Sequence, residues 1–152
     1  MQRHYRNARV LLDANVFIDI AISRVKEERC PEFEKIKNTH QYVITSKRLL
    51  KHYVGAIVKR LGTKAQPFLR SIYDDLPTTC INDNNANRHQ PPFTVSRKDR
   101  FLYSLAIEAR GRNRHQVLLI SNDPDQTRNF ARMLTSENIP VIDAQTYLQE
   151  YC

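Results

Sequence analysis

The chain has 152 residues, with 24 Lys and Arg against 16 Asp and Glu, a formal net charge of +8 and a pI near 9.6. That length suits one domain burying about two thirds of its unfolded surface without staples, and the charge favours a polyanionic partner such as nucleic acid. Cys30, Cys80 and Cys152 are widely spaced with no C-x-x-C pair, against a zinc ribbon or disulfide framework, and Asp13, Asp19, Glu27 and Glu28 interrupt any early signal peptide or membrane span, so a cytosolic protein is expected.

After a basic leader, Arg9 to Asp13 reads as a strand and Val16 to Ile22 as the start of a helix. Pro31 suits the first turn of a second helix with Phe33 and Ile36 facing inward. Tyr42 to Thr45 is a short strand, and Ser46 is placed to cap a helix that Gly62 ends. Within it Leu49, Leu50, Tyr53, Val54, Ile57 and Val58 recur at helical spacing. A helix from about Lys64 to Asp75 leads to a weak strand, Thr78 to Ile81. Asn82 to Thr94, rich in Asn with two Pro and few apolar residues, reads as a long loop. Ser96 to Asp99 has the form of a capping box with Asp in the Glu position, opening a helix through Phe101, Leu102, Leu105, Ala106 and Ala109 to Gly111. The strand Val117 to Ile120 follows, then Asp123 and Pro124 as N-cap and first residue of a helix, Val141-Ile142 and a terminal helix. Alternating strands and helices imply a parallel sheet wrapped by right-handed crossovers, one domain over 1–152 with its core from about 9 to 143.

Two of these strands end in acids: Val10-Leu11-Leu12-Asp13-Ala14-Asn15 and Val117-Leu118-Leu119-Ile120-Ser121-Asn122-Asp123-Pro124-Asp125. Apolar runs of this kind belong to parallel strands covered on both faces, and the acids then lie at the carboxyl edge, where ligands bind. If the strands are neighbours, Asp13, Asp123 and Asp125 converge, and like charges gathered there call for a cation. With only Gly55, Gly62 and Gly111, and none in a G-x-G-x-x-G or G-K-[ST] context, a dinucleotide fold and a P-loop are unsupported. A phosphoryl-transfer aspartate after the first strand wants a second acid two residues on, where Asn15 stands, and no G-x-S-x-G elbow is present.

Three stretches now stand in order: the strand-D-x-N-V start, the central run D-R-F-L-Y-S-L-A from Asp99 to Ala106, and the strand-S-N-D-x-D from Ser121 to Asp125. Together they resemble the PIN domain family of metal-dependent ribonucleases, from about Val10 to Val141. The resemblance implies a three-layer α/β/α sandwich with a central, mostly parallel sheet. It also implies Mg²⁺ or Mn²⁺ held by acids, and endonucleolytic hydrolysis of RNA. Asp13, Asp99 and Asp123 match the family's metal-binding acids, Asp125 an auxiliary one, and Asn15 and Ser121 its supporting polar positions. Small free-standing members often act as toxins restrained by an antitoxin protein, and the family suggests homodimers.

The family's remaining acid is a Glu in a pattern such as S-x-x-L-L-x-E-Y, and Ser46 to Tyr53 places His52 there. Imidazole suits Mn²⁺ or Zn²⁺ better than Mg²⁺; alternatively His52 shuttles protons, or catalysis is weakened or lost and the chain is an RNA-binding or regulatory module. A phosphohydrolase of small substrates is a third class, disfavoured by Asn15. Asp99 and Asp123 would each also serve as helix caps, Asp125 as a favourable charge at a helix start; Asp19 reads as solvated and Asp83 as an outside candidate for the missing acid. Lys47, Arg48, Lys51, Lys59 and Arg60 on one helix, with Arg97, Lys98 and Arg100, would guide RNA. Tyr53, Tyr103 and Phe93 are candidates to stack on bases, the two tyrosines equally core candidates.

Overall fold

A computed structural model describes residues 8–89, 99–112, 115–122 and 131–150. Five parallel strands form one sheet: β1 (Arg9–Leu12), β2 (Tyr42–Thr45), β3 (Thr78–Cys80), β4 (Val117–Ile120) and β5 (Val141–Ile142), in the order β3-β2-β1-β4-β5. Val10 to Leu12 and all of β4 are buried, as continuous apolar runs must be when helices cover both faces. β1 and β4 pair over four registered positions, Arg9 with Val117 through Leu12 with Ile120, whereas β1 and β2 pair over two.

Eight helices are found among the described residues: α1 (Ala14–Val25), α2 (Pro31–Thr39), α3 (Lys47–Leu61), α4 (Gln66–Asp75), α5 (Asp83–Ala86), α6 (Arg100–Arg110), α7 (Ala131–Ser136) and α8 (Ala144–Glu150). The chain crosses the sheet one way from β1 to β3 and returns to β4 and β5. Right-handed crossovers therefore put the two sets of helices on opposite faces, giving the three-layer α/β/α sandwich. α1, α3 and α4 pack on one another, and α6 lies against β1 and β4. Phe17, Ile20, Leu49, Ile57 and Ile72 fill the first interface; Leu102, Leu105, Ala106 and Ala109 line the second.

Several elements differ from the sequence reading, each for a local reason. α1 starts at Ala14, two residues earlier than the apolar pattern indicates, because Asp13 itself is the cap. The Asn-rich stretch is not loop throughout: Asn82 accepts from the Asn84 N–H at 2.8 Å and starts the single turn α5. Thr63–Ala65 is a 3₁₀ turn rather than the start of α4. Gly62 does end α3, at φ 84°, a left-handed value that glycine adopts freely. Leu50 is exposed despite its place in the apolar series. Ser96 to Lys98 of the capping box, Pro124 and the start of the helix after β4 lie outside the described residues.

Candidate active site at the carboxyl edge of the sheet

The strand order reverses between β1 and β4, so the crevice beyond their carboxyl ends is the topological switch point, where open α/β sheets bind ligands. Asp13 stands there. Its N–H still belongs to the sheet, donating to the Ile120 carbonyl at 3.0 Å. Its side chain turns back to cap α1, Oδ1 accepting from the Ala14 N–H at 2.7 Å. Oδ2 accepts from the Ser121 hydroxyl at 2.8 Å and from the Asn15 amide at 3.4 Å. The residue is only 4 % exposed, and a carboxylate so far from water needs these donors.

Asn122 extends the arrangement. Its backbone N–H donates to Asn15 Oδ1 at 3.0 Å, its Nδ2 to Asp19 Oδ2 at 3.2 Å, and its Oδ1 accepts from the Ala144 N–H at 2.9 Å. One residue thus ties the end of β4 to both α1 and α8. Asp19 is exposed, as expected, yet this bond turns it toward the same edge. The sequence reading gave Asn122 no role; its place between the strand-end serine and the next acid is the only local signal.

α3 begins at this edge as well, because it follows β2. Ser46 Oγ accepts from the Leu49 N–H at 3.0 Å, and Asp83 Oδ2 from the Arg48 N–H at 3.0 Å. Asp83 is therefore a cap for α3 reaching in from α5 through Oδ2. Further along α3, the Tyr53 hydroxyl donates to the Leu12 carbonyl, directly before Asp13, and the Tyr53 ring stacks on Phe17 at 4.3 Å. With β1 and β2 paired at only two positions, that hydroxyl does for Leu12 what a neighbouring strand would. Burial pushes the Tyr53 phenol well above its ordinary value, with Tyr73 and Asp13 adding to it, so it stays a donor. Tyr53 and Tyr103 are both buried, which removes them as base-stacking surfaces; Phe93 lies outside the described residues.

His52 lies on the outer side of α3 with its ring edge-on to Phe101 at 5.1 Å. Partial burial lowers its pKa from 6.5; Asp99 opposes that shift and Arg48 adds to it. The imidazole is consequently neutral near pH 7. Asp99 occupies the N-cap position of α6 but, with φ −100° and ψ −8°, makes no side-chain capping bond, so its cap role is corrected; its charge is near enough to His52 to favour that ring's protonated form. The Arg48 guanidinium lies over the Phe101 ring at 5.2 Å. Lys47, Arg48, Lys51, Lys59, Arg60 and Arg100 are all exposed.

Direct hydrogen bonds thus join Asp13, Asn15 and Ser121 where β1 and β4 end, and the Asp99 charge at the start of α6 acts on His52 of α3. Asp123, Asp125, Arg97 and Lys98 lie outside the described residues. Among the described residues no three His, Cys, Asp or Glu side chains gather as one metal cage. The donor chemistry of Asp13 and Asp99 is all oxygen, which fits a hard divalent cation, and a neutral imidazole beside Asp99 fits Mn²⁺ more readily than Mg²⁺. No helix among the described residues is long and apolar enough to cross a membrane. No protein-family profile and no curated protein matches this chain.

Proposed function

We propose that this chain is a metal-dependent endoribonuclease of the PIN kind, hydrolysing RNA phosphodiester bonds. The observation that carries the reading is the buried Asp13 carboxylate at the switch point between β1 and β4, gripped by Ser121 and the start of α1. A carboxylate held in a fixed pose at a ligand-binding edge, inside a protein of charge +8, suits a centre that attracts phosphates with its rim and grips a cation within. Asp13 and Asp99, with Asp123 and Asp125 completing the set, would hold Mg²⁺ or Mn²⁺. When bound, the ion supplies charge neutralisation at the scissile phosphate and a more acidic water. Asn15 and Ser121 keep Asp13 aimed, His52 takes or returns a proton near neutral pH, and Lys47, Arg48, Lys51, Arg97, Lys98 and Arg100 draw in the RNA backbone.

The test is cleavage of a labelled RNA pool with Mn²⁺, Mg²⁺ or EDTA, wild type against Asp13→Asn. Metal-dependent cutting abolished by the substitution is the expected result. RNA binding without cutting under any metal would overturn it in favour of the second reading, a non-catalytic RNA-binding module, which the imidazole in place of a carboxylate at His52 favours. As a cytoplasmic nuclease the chain would act as the toxin of a toxin-antitoxin pair, working as a homodimer. Co-purification with a small acidic protein encoded beside it tests that role.

A further inference from the structure

At the carboxyl ends of β2 and β3 lies a half-open cleft of about 480 Å³, lined by Lys47, Cys80, Ile81, Asn82, Asp83 and Asn84. Neighbouring strands are ~4.8 Å apart, so this cleft lies about 5 to 10 Å along the same edge from the strand that ends in Asp13. A polymer cut at Asp13 would pass over it. Its wall is not that of a phosphate seat: the Asp83 carboxylate is fixed there through the Arg48 N–H, and two asparagine amides stand beside it. Carboxylates and amide oxygens accept hydrogen bonds from the exocyclic amino groups of adenine, cytosine and guanine, whereas uracil has no amino group and offers only its single ring N3–H. Lys47, exposed at the first residue of α3, is placed for the adjoining phosphate rather than for the base.

We propose that this cleft receives one base of single-stranded RNA beside the cut, preferring bases that carry an amino group. The proposal rests on the ribonuclease reading above. A base reaches such a cleft only when it is unpaired and turned out of its stack, so duplex RNA is excluded from it.

Cys80 provides the readout, because it is an exposed thiol in the cleft wall. Cys30 is an internal standard within the same molecule: burial pushes its thiol up to about 11, and it lies outside the cleft. Wild-type protein in EDTA, where cutting is stopped, is alkylated with iodoacetamide with and without short single-stranded oligoadenylate, and each cysteine is followed by peptide mass spectrometry. With oligoadenylate at ten times its Kd, Cys80 should react about tenfold more slowly while Cys30 is unchanged. Oligouridylate at equal occupancy and a duplex of equal length should protect Cys80 less, and Asn84→Ala should narrow the difference between adenylate and uridylate. RNA that binds by fluorescence anisotropy while Cys80 reacts at its free rate overturns the cleft proposal and leaves the nuclease reading standing. Equal protection by uridylate overturns the base preference, and no binding of any RNA overturns the ribonuclease reading together with this one.

Discussion

The hydroxyl of Ser121 donates to Asp13 Oδ2 at 2.8 Å across 108 positions of sequence, with both residues buried. This bond fixes one oxygen of the carboxylate while the Ala14 N–H fixes the other. Ser121→Ala should therefore cost about 1–3 kcal/mol in urea denaturation, the usual penalty when a buried charged acceptor loses its shorter bond, here leaving Oδ2 the longer one from Asn15. It should also lower RNA cleavage by ~10–100-fold, as loss of a supporting partner does at metal sites. Full activity in the variant would separate Ser121 from the chemistry.

Tyr53→Phe removes the hydroxyl that meets the Leu12 carbonyl and keeps the ring on Phe17. The carbonyl is left buried, so a loss of about 1–3 kcal/mol is expected, read as a lower urea midpoint with an unchanged slope. Wild-type stability would show that water replaces the hydroxyl there.

The ring of His52 gains its proton less readily in the fold than in the unfolded protein, where the value is 6.5. Between the folded and unfolded values the unfolded state binds more protons, so stability is full above pH 6.5 and declines as pH falls through that window. The effect is small because the ring is only partly buried and water still reaches it. An NMR titration should give His52 a midpoint below 6.5, and His52→Gln should flatten this part of the stability profile. A midpoint above 6.5 would mean that Asp99 outweighs burial.

His52→Glu restores the carboxylate expected at that position beside Asp99. Cleavage should then favour Mg²⁺ more than in the wild type, since both partners become oxygen donors. An unchanged Mn²⁺ to Mg²⁺ activity ratio would remove His52 from the ion's surroundings.

The first turn of α3 is capped twice, by Ser46 immediately before the helix and by Asp83 from α5. Ser46→Ala and Asp83→Ala should each cost about 1 kcal/mol. The two act on different N–H groups, so the double variant tests whether the losses add; an excess over the sum of more than about 0.5 kcal/mol would mean one cap compensates for the other, and a shortfall of that size that each cap depends on the other.

The parts of this architecture readable in the sequence are those that rest on local pattern. β1 and β4 announce themselves because a strand covered on both faces reads as a continuous apolar run, Val10 to Leu12 in β1 after Arg9 and all of β4, and α3 does so through a serine cap, a helical stripe and a glycine stop. Asp13 follows from its place at a strand end. What escaped were bonds between distant segments: Asp83 on the Arg48 N–H, the Tyr53 hydroxyl on Leu12, and Asn122 joining α1 to α8. None of these has a period or a spacing, because each exists only once the sheet has brought its segments together. α5 escaped for a different reason: one turn is too short to carry an apolar stripe, and it is held by its Asn82 cap and by packing on α6.

Adjacency of β1 and β4 also sets a clock on the site. Asp13 is synthesised early, but the strand and the serine that complete its surroundings emerge 108 residues later. At translation rates of about 5–20 residues per second this is roughly 5–20 s during which the growing polypeptide has the first aspartate and no centre around it. If the chain cuts RNA as proposed above, it cannot do so while that delay lasts. A product truncated before β4 would lack Ser121 and the strand that pairs with β1, and under the ribonuclease proposal it would not cut RNA.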